Sequence, residues 1–511
     1  MKIKNSKIIL TQQFRELHPR GLVSDSDLYY TRLANRIFQT LMHDKPVTIN
    51  FEPHLLNTMA LHAAAYLEDT VSGLGIFAAF RNIHQKLCNR KIPFLSYSDE
   101  DYFDEEINQP DVQLLVWFIK QEDRSQETKE GGVRFVNPEN PMIEYVSSLI
   151  MNVLEEEYEI APENPDLYYL LHLAEYDNYF QLREILQWLH YDSYLSMQYP
   201  KEALKEAIQN FLNSKNESIQ SNLKGCIYTV EVGNIYTYVC SPLAIKAVDW
   251  LKEITTNENI QTTIETIEYR SQAIYEIISR FGDEIKISPI DDKNKILYLD
   301  ANSVTIGSSI NYFTASLVRF NNLWQANGQV ALLPDIDEEQ RKKLKQNKEE
   351  HLNEDNFRFT YEAIMKFTKN KPLLFFKNFD NYLDFWAKVF PNTPNMDEFA
   401  KDNILKDDVN LALFANEKTG VIILPDVASW IKLPGNKLYN KAEASKYAIS
   451  LLLGSTSTPL DLLSHLIENN LLPDAVANSF LGKERGRQLV QDNQWFIVRF
   501  FQPDLFLDKM S

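Results

Sequence analysis

Two histidines, two adjacent carboxylates and a glycine-rich turn fall within residues 62–84, whose sequence is HAAAYLEDTVSGLGIFAAFRNIH. Side chains of these types can hold a metal ion, bind a phosphate group or serve an enzyme as acid and base. We therefore take His62, Glu68 and Asp69 as the candidate catalytic residues. The alternative is structural: the segment is the corner between two packed helices, and one carboxylate caps the second helix.

A metal or phosphate site in this segment meets geometric objections. His62 and Asp69 share a helix face but lie two turns apart, roughly 10 Å along the axis, whereas one ion needs its ligands about 2 Å away. A helix precedes the glycines where a strand would be needed, and the chain has no GxGxxG, P-loop, HExxH or ExxH pattern. The sequence therefore predicts neither a metal centre nor a cofactor.

The helix-corner interpretation accounts for the same residues without chemistry. Gly73 supplies the left-handed residue that ends the first helix, and the second helix begins with unpaired backbone N–H groups near Gly75. A carboxylate of the first helix can accept those N–H groups, and Arg81 can pair with Glu68. This interpretation predicts that Asp69→Ala lowers stability by about 1 kcal/mol.

Composition bounds the classes of function. The 511 residues carry 52 basic and 71 acidic side chains, a net charge of −19 that repels nucleic acids and anionic membranes. The cysteines are Cys88, Cys226 and Cys240, without zinc-type spacing, and no apolar run suits a signal peptide or a transmembrane helix. We therefore expect a cytoplasmic protein with no membrane contact, and nucleic acid is disfavoured as a partner.

Hydrophobic periodicity predicts an α+β fold of three domains. Residues 1–222 carry apolar side chains at helical spacing, which predicts a helical N-terminal domain. Residues 223–336 predict a β-hairpin followed by a small SH3- or OB-like β-barrel module. Residues 337–511 predict a C-terminal α/β domain, and a charged helix or linker that begins at Asp337 introduces it.

The β-hairpin is predicted from residues 226–240, CIYTVEVGNIYTYVC, in which Gly233-Asn234 would form a two-residue turn. In that register, Cys226 and Cys240 point to opposite faces of the ribbon. We therefore expect no disulfide bond between them.

Turn and strand signals alternate through the rest of the chain. Helices are predicted for residues 242–254 and 262–281, and a last helix for 484–501. Asn321-Asn322 suits a tight hairpin turn because asparagine tolerates a positive φ. The predicted strands are DEIKISPI, KILYLDA, SVTI, FTASLVRF and LWQANGQVALL in the barrel, and LLFFK, VNLALFA and GVIILP in the C-terminal domain.

Three further features suggest chemistry, and each has a structural alternative. The acidic run 98–106 is similar to a calcium loop but lacks the glycine at the sixth position and the glutamate at the twelfth, which favours a solvated loop. Cys88 lies near Arg90 and Lys91, whose charges could lower the pKa of its thiol. The structural alternative is a cysteine at the end of a helix with no catalytic role. Four aromatic residues of the predicted barrel either stack nucleobases or form its core, and these are Tyr312, Phe313, Phe320 and Trp324.

Several phrases of the sequence resemble an uncharacterised Bacteroidetes-type bacterial family, which is known only as a domain of unknown function. The phrases run nearly from end to end, and their order carries the resemblance. The resemblance implies a cytoplasmic bacterial protein and supplies no activity and no catalytic residue. The phrases are HP at His18, DLYYTRLAN from Asp27, AYLEDTVSGLGIFAAF from Ala65, DEEINQPDVQLLVW from Asp104, APEN from Ala161, RFNNLWQANG, NKLYNKAEA, LLPDA and QDNQWFIVRFF.

The absence of a recognisable reactive constellation leads to three hypotheses of function. The first is a noncatalytic interaction protein, a scaffold or adaptor whose partner is another protein. The second is an enzyme of unknown class with an interdomain acidic and histidine site formed by His62, Glu68 or Asp69, and a polar pocket shared by these side chains would favour it. The third is nucleic-acid binding through the barrel, with a strongly salt-dependent affinity.

Overall fold

The computed structural model describes residues 8–98, 100–127, 134–292, 294–336, 354–391 and 409–507. The chain divides into two compact units, one formed by residues 1–341 with 506–511 and the other by residues 342–505. Each unit combines helices with a sheet, so the predicted α+β class is confirmed. The charged segment predicted to begin at Asp337 lies outside the described residues as far as residue 353.

Helices make up the first unit as far as residue 265. They are α1 Thr11–Arg15, α2 Asp27–His43, α3 Lys45–Asn50, α4 Pro53–Ser72, α5 Ile76–Cys88, α6 Gln109–Glu127, α7 Pro141–Tyr158, α8 Pro165–Tyr168, α9 Tyr179–Tyr191, α10 Tyr199–Asn213, α11 Glu217–Ser221, α12 Leu223–Thr237, α13 Ala247–Ile254 and α14 Glu258–Glu265. A π-helical turn, Tyr169–Leu173, follows α8. Side-chain caps mark many of the starts, as where Asn164 accepts the backbone N–H of Leu167.

The centre of this helical part is α4. Helices α2, α6 and α7 pack around it, and its predicted apolar stripe from Leu56 to Leu67 is buried. Residues on its other sides are buried as well, including Tyr66, Glu68 and Asp69. A helix that is surrounded on all sides must satisfy every polar side chain internally, and this places the two candidate carboxylates inside the protein.

Five strands of the described residues complete the first unit. They are β1 Glu268–Phe281, β2 Glu284–Pro289, β3 Leu297–Asp300, β4 Tyr312–Phe320 and β5 Leu323–Leu333. They pair in the order β1-β2-β3-β5-β4, and β4 pairs with β1, so that the sheet closes on itself. The β4–β5 turn at Asn321-Asn322 has φ values of 48° and 69°, as predicted.

Two predictions for this sheet are wrong. Residues 262–281 do not form one helix, because α14 ends at Glu265 and β1 occupies residues 268–281. The segment SVTI forms no strand, and its first residue, Ser303, ends a 3₁₀ turn, Ala301–Ser303. The long strand β1 pairs with both β2 and β4. These two sets of ladder hydrogen bonds stabilise an extended conformation, although the apolar residues of the segment have helical spacing.

The β-hairpin predicted for residues 226–240 is also wrong, because α12 occupies this segment. Gly225, Thr229 and Gly233 are four residues apart and share one face of α12, and α12 packs against β5. A β-carbon at Gly225 would lie 2.0 Å from the side-chain oxygen of Gln329 in β5. The small residues let the helix backbone approach the sheet, and this packing overrides the β-propensity of the neighbouring residues.

The second unit contains an antiparallel sheet and helices. Its elements are α15 Glu354–Thr368, β6 Leu373–Phe376, α16 Phe379–Val389, β7 Leu411–Asn416, β8 Gly420–Pro425, α17 Lys441–Tyr447, α18 Ile449–Leu452, α19 Leu460–Glu468, α20 Lys483–Gln491 and α21 Gln494–Phe501. The sheet order is β6-β7-β8, and the three predicted strands are confirmed. The predicted last helix is two helices, α20 and α21, that are separated at Asp492-Asn493.

None of the helices in the described parts of the chain is both long and apolar enough to cross a lipid bilayer.

Candidate functional site

Glu68 lies near the end of α4 and is only 1% exposed. Its Oε2 is 2.7 Å from Nε2 of His18. Its Oε1 accepts hydrogen bonds from the Ser26 hydroxyl at 3.2 Å and the Asn164 side-chain amide at 2.9 Å. These partners come from the turn after α1, the start of α2 and the start of α8, so both oxygens of Glu68 are used to join four segments.

His18 is held between two carboxylates. Its Nδ1 lies 3.5 Å from Oδ1 of Asp27, and Asp27 Oδ2 accepts a hydrogen bond from Nε of Arg15 at 2.5 Å. Burial alone would lower the pKa of His18, but the charges of Glu68 and Asp27 and the hydrogen bond with Glu68 raise this pKa to about 9. The raised pKa keeps His18 protonated at neutral pH. We call Arg15, His18, Asp27 and Glu68 the His18 cluster, in which the cationic groups alternate with the two carboxylates.

Asp69 performs the capping role predicted from the sequence. Its Oδ1 accepts the backbone N–H of Ile76 at 3.1 Å, and its Oδ2 accepts that of Phe77 at 2.8 Å. Oδ2 also accepts the hydroxyl hydrogen of Tyr194 at 2.6 Å. Burial raises the pKa of Asp69, and these three hydrogen bonds oppose the rise. The carboxylate thus joins α4 to the first turn of α5 and to the segment after α9.

The predicted pair between Arg81 and Glu68 is wrong. Arg81 Nη1 lies 3.3 Å from Oδ2 of Asp111, which also accepts hydrogen bonds from the hydroxyls of Tyr66 and Tyr102. Burial raises the pKa of Asp111 to about 6, and the charge of Arg81 opposes this rise. Arg81 contacts a carboxylate of α6, whereas Glu68 contacts residues in the turn after α1, just before α2 and just before α8.

His62 is half-buried on α4, one turn before Tyr66. Its ring lies 6.5 Å from that of Tyr194 in an edge-to-face arrangement. Burial lowers the pKa of His62 to about 4, and the charge of Lys201 lowers it further, so the imidazole is neutral at pH 7. His62 and Asp69 therefore both touch Tyr194, but Glu68 contacts a separate set of residues, and the three candidates do not converge on one group.

The burial of these groups limits what they can do chemically. The exposed fractions are 4% for His18, 1% for Asp27 and Glu68, and 3% for Asp69. A reactant would have to pass between packed helices to reach them. No group of three or more histidine, cysteine, aspartate or glutamate side chains among the described residues is placed to hold a metal ion. The arrangement is suited to fixing the positions of the helices around α4.

The remaining sequence candidates are Cys88, which is the last residue of α5, the pair Cys226 and Cys240, and the acidic run 98–106. Cys226 and Cys240 form no disulfide bond with each other, so this prediction is confirmed, although Cys226 lies on a helix and not on a β-ribbon. In the acidic run 98–106, Asp104 pairs with Lys91 at 3.0 Å, and Tyr102 is buried against Arg81; Asp99 lies outside the described residues.

The aromatic residues of β4 and β5 belong to the core of the sheet. Their exposed fractions are 7% for Tyr312, 0% for Phe313, 4% for Phe320 and 6% for Trp324. Their interpretation as a stacking surface for nucleobases is wrong, because a base cannot lie against a ring that is already covered.

Comparison with known families identifies one family model that matches nearly the whole chain. A family model described as "Protein of unknown function (DUF3843)" matches residues 8–316 and 319–502. The chain belongs to this family. No curated protein and no solved structure matches the chain. The match covers nearly the whole chain, as the sequence resemblance implied, and it includes the His18 cluster and the residues around Asp69.

Sequence reasoning missed most of the residues that surround the two carboxylates of this DUF3843 protein. A signal was present, because three phrases that carry the family resemblance contain His18, Asp27 and Asn164. In the structure these residues lie around Glu68, which belongs to a fourth phrase, and Asp27 joins them through His18. The phrases are far apart in sequence and meet only in the folded protein. Tyr194 carried no signal of this kind.

Proposed function

We propose that this chain is a noncatalytic, cytoplasmic bacterial interaction protein, a scaffold or adaptor that binds another protein. The observation that carries the proposal is the tip of the β1–β2 hairpin. Phe281, the last residue of β1, is 89% exposed. Gly282, with φ of 57°, turns the chain directly after it, and Phe281 pairs with Glu284 across the turn. A large aromatic side chain at a hairpin tip is well placed to enter a pocket on a partner.

The base of this tip is held in place by Arg280. Its guanidinium donates hydrogen bonds to the backbone oxygens of Ile306 at 3.2 Å, Gly307 at 3.0 Å and Ile310 at 3.2 Å. The residue before Phe281 is thereby tied to the loop between β3 and β4. Presenting the ring on a constrained backbone lowers the entropy lost on binding, which favours an anchor over an incidental exposed residue.

Three other observations support the proposal over its alternatives. The carboxylates of Glu68 and Asp69 are buried and spend their hydrogen bonds inside the helical core, which disfavours an enzyme built on them. The net charge of −19 and the burial of the barrel aromatic residues disfavour nucleic-acid binding. None of the three cysteines forms a disulfide bond, which is typical of a protein from a reducing compartment.

The test compares two variants of matched exposure. Phe281→Ser removes the tip, and Ile49→Ser removes a side chain that is 72% exposed on α3. Each tagged protein is used to capture partners from cells of the source organism, and the captured protein is then purified and titrated against all three forms. We expect one partner to bind the wild type and the Ile49→Ser variant equally and to bind Phe281→Ser about 30-fold more weakly, the loss typical of a central anchor. Failure to find a saturable partner, or equal loss in both variants, would overturn the proposal.

A further inference from the structure

Arg183 on α9 lies among three aromatic rings. Its guanidinium carbon is 4.9 Å from the ring centre of Phe180, 5.6 Å from that of Tyr228 and 5.7 Å from that of Tyr179. Phe180 and Tyr179 precede Arg183 by three and four residues on the same helix face, and Tyr228 comes from α12. The arrangement surrounds one cation with π-faces from two helices.

The deepest of these rings is fixed by hydrogen bonds. The hydroxyl of Tyr179 donates to Oδ1 of Asn327 in β5 at 2.7 Å and lies 3.0 Å from the hydroxyl of Tyr236. Tyr179 is 1% exposed, whereas Phe180 and Tyr228 are each 40% exposed. The ring set therefore has a rigid inner wall and two outer rings that reach solvent.

The hydrogen-bonding capacity of Arg183 is unused within the described residues. Its Nε and Nη1 are buried, and neither donates a hydrogen bond to an oxygen there. Arg183 also forms no ion pair with a described residue. Because helical side chains lean toward the N-terminus, the guanidinium approaches the positive end of α9, where a second positive charge is unfavourable. A partly buried arginine without an acceptor is costly, and an anion would relieve that cost.

We propose that Arg183, Phe180 and Tyr228 form a binding site for a carboxylate that is joined to an apolar or aromatic group. The guanidinium binds the carboxylate, and the exposed faces of Phe180 and Tyr228 cover the apolar group. A phosphate dianion suits the site less, because a single arginine supplies the charge and the Asn178 side chain already accepts the first backbone N–H groups of α9. Nearby Glu231, which accepts a hydrogen bond from Gln187, also disfavours a doubly charged ligand.

The test uses 4-fluorobenzoate as the probe and follows its ¹⁹F resonance during titration of the full-length protein. We expect saturable binding, binding of acetate at least threefold weaker, and no binding of 4-fluorobenzyl alcohol, which keeps the ring and lacks the charge. Inorganic phosphate should displace 4-fluorobenzoate less effectively than benzoate does. Absence of saturable binding at 10 mM, about the weakest affinity worth measuring, would overturn the proposal. Equal binding of the alcohol, or tighter binding of phosphate, would overturn it as well.

Two variants place the probe at the site. Arg183→Met keeps an unbranched, flexible side chain without the charge and should weaken the binding of 4-fluorobenzoate at least tenfold. Phe180→Leu keeps the charge of Arg183 and should weaken the binding of 4-fluorobenzoate more than that of acetate. If the methionine variant unfolds, Arg183→Lys replaces it, and at least threefold weakening is expected because lysine lacks the planar fork. Retention of binding within twofold in the folded arginine variant would show that the ligand lies elsewhere.

A last comparison distinguishes a protein C-terminus from a small molecule as the source of the carboxylate. A short peptide that ends in phenylalanine is titrated as the free acid and as the amide. Binding of the acid more tightly than benzoate, with loss in the amide, identifies a protein C-terminus, whereas tighter binding of benzoate identifies a small carboxylate. The site uses α9 and α12 and not the hairpin tip at Phe281, so its failure and that of the proposed interaction function are distinguishable.

Discussion

The His18 cluster allows one stability prediction to be worked out fully. Glu68→Gln keeps the shape of the side chain and removes its charge. The amide oxygen of the glutamine can still accept hydrogen bonds from Ser26 and Asn164. The group beside Nε2 of His18, however, no longer carries the negative charge that stabilises the imidazolium. Removing one member of a buried charged set typically costs about 3–5 kcal/mol, because the remaining charges are left uncompensated.

The pKa of His18 gives an independent magnitude with a defined sign. The folded value is about 9, against 6.5 for an unperturbed histidine. Because the pKa is raised on folding, the stabilisation is fully present below pH 6.5 and is lost as the pH rises from 6.5 to 9. A rise of this size corresponds to about 3 kcal/mol, which agrees with the cost expected for the substitution.

Hydrogen–deuterium exchange of the peptides that cover α2 and α4 is the suitable assay, because it reports the opening free energy of this region apart from the second compact unit. Exchange is measured at pH 6 and pH 9 and corrected for the intrinsic rate. We expect Glu68→Gln to lower the opening free energy by about 3 kcal/mol at pH 6. At pH 9 the difference from the wild type should nearly vanish.

The matched control is Glu163→Gln, the same change at an exposed position close to Asn164. It should leave both the opening free energy and its dependence on pH unchanged. A loss below about 1 kcal/mol in Glu68→Gln, or the same difference from the wild type at pH 6 and pH 9, would refute the assignment of a buried imidazolium to His18.

Three further substitutions have defined outcomes in thermal and urea unfolding. Asp69→Ala should lower stability by about 3 kcal/mol, more than expected for a helix cap alone, because it also leaves the Tyr194 hydroxyl without its acceptor. His190→Leu should raise stability by about 1–2 kcal/mol, since His190 is fully buried and neither ring nitrogen has a hydrogen-bond partner among the described residues. Burial lowers the pKa of His190 to about 3, so the wild type should lose about 1.4 kcal/mol of stability per pH unit as the pH falls below 6.5. His190→Leu should abolish this loss. Gly486→Ala should lower the stability of the second unit by about 3 kcal/mol, because its β-carbon would lie 2.1 Å from the backbone oxygen of Ala477.

Each of these variants has a control. Asp69→Asn retains an acceptor for the Tyr194 hydroxyl, so it should lower stability by about half as much as Asp69→Ala does. His43→Leu changes an exposed histidine and should alter neither stability nor its dependence on acid. Gly307→Ala adds a β-carbon with no atom within 4 Å and should be neutral. Destabilisation by His190→Leu would indicate a bound partner for the imidazole, and a neutral Gly486→Ala would contradict the close approach of the two backbones.

The features of this fold that depend on neighbouring residues could be predicted from the sequence. The cap from Asp69 to the start of α5 was predictable because the carboxylate, Gly73 and the free N–H groups lie within eight residues. The turn at Asn321-Asn322 was predictable for the same reason. In both cases neighbouring residues determine the geometry, and no distant packing opposes it.

The errors arose where distant residues decide the structure. The segment that forms α12 has a strand-like composition. Only residues far along the chain explain why its glycines must be small: Gln329 approaches Gly225, and the hydroxyl of Tyr269 approaches Gly233. The pairing of Arg81 with Asp111 is of the same kind. Local pattern cannot distinguish Glu68 from Asp111 as the partner, because the choice depends on which helix packs beside α5.

The adjacent carboxylates show how this affects the search for function. Glu68 and Asp69 are about 100° apart around α4. Glu68 therefore contacts the segments next to α1, α2 and α8, whereas Asp69 contacts the start of α5 and Tyr194. Their adjacency in sequence suggested a common site, yet each spends its oxygens on a different structural contact. Arg183 is the opposite case: nothing in its sequence context suggested chemistry, and yet its buried nitrogens lack acceptors. In a well-packed protein, an unused polar group that can reach solvent is a better indication of a binding site than a cluster of acids whose hydrogen bonds are already made.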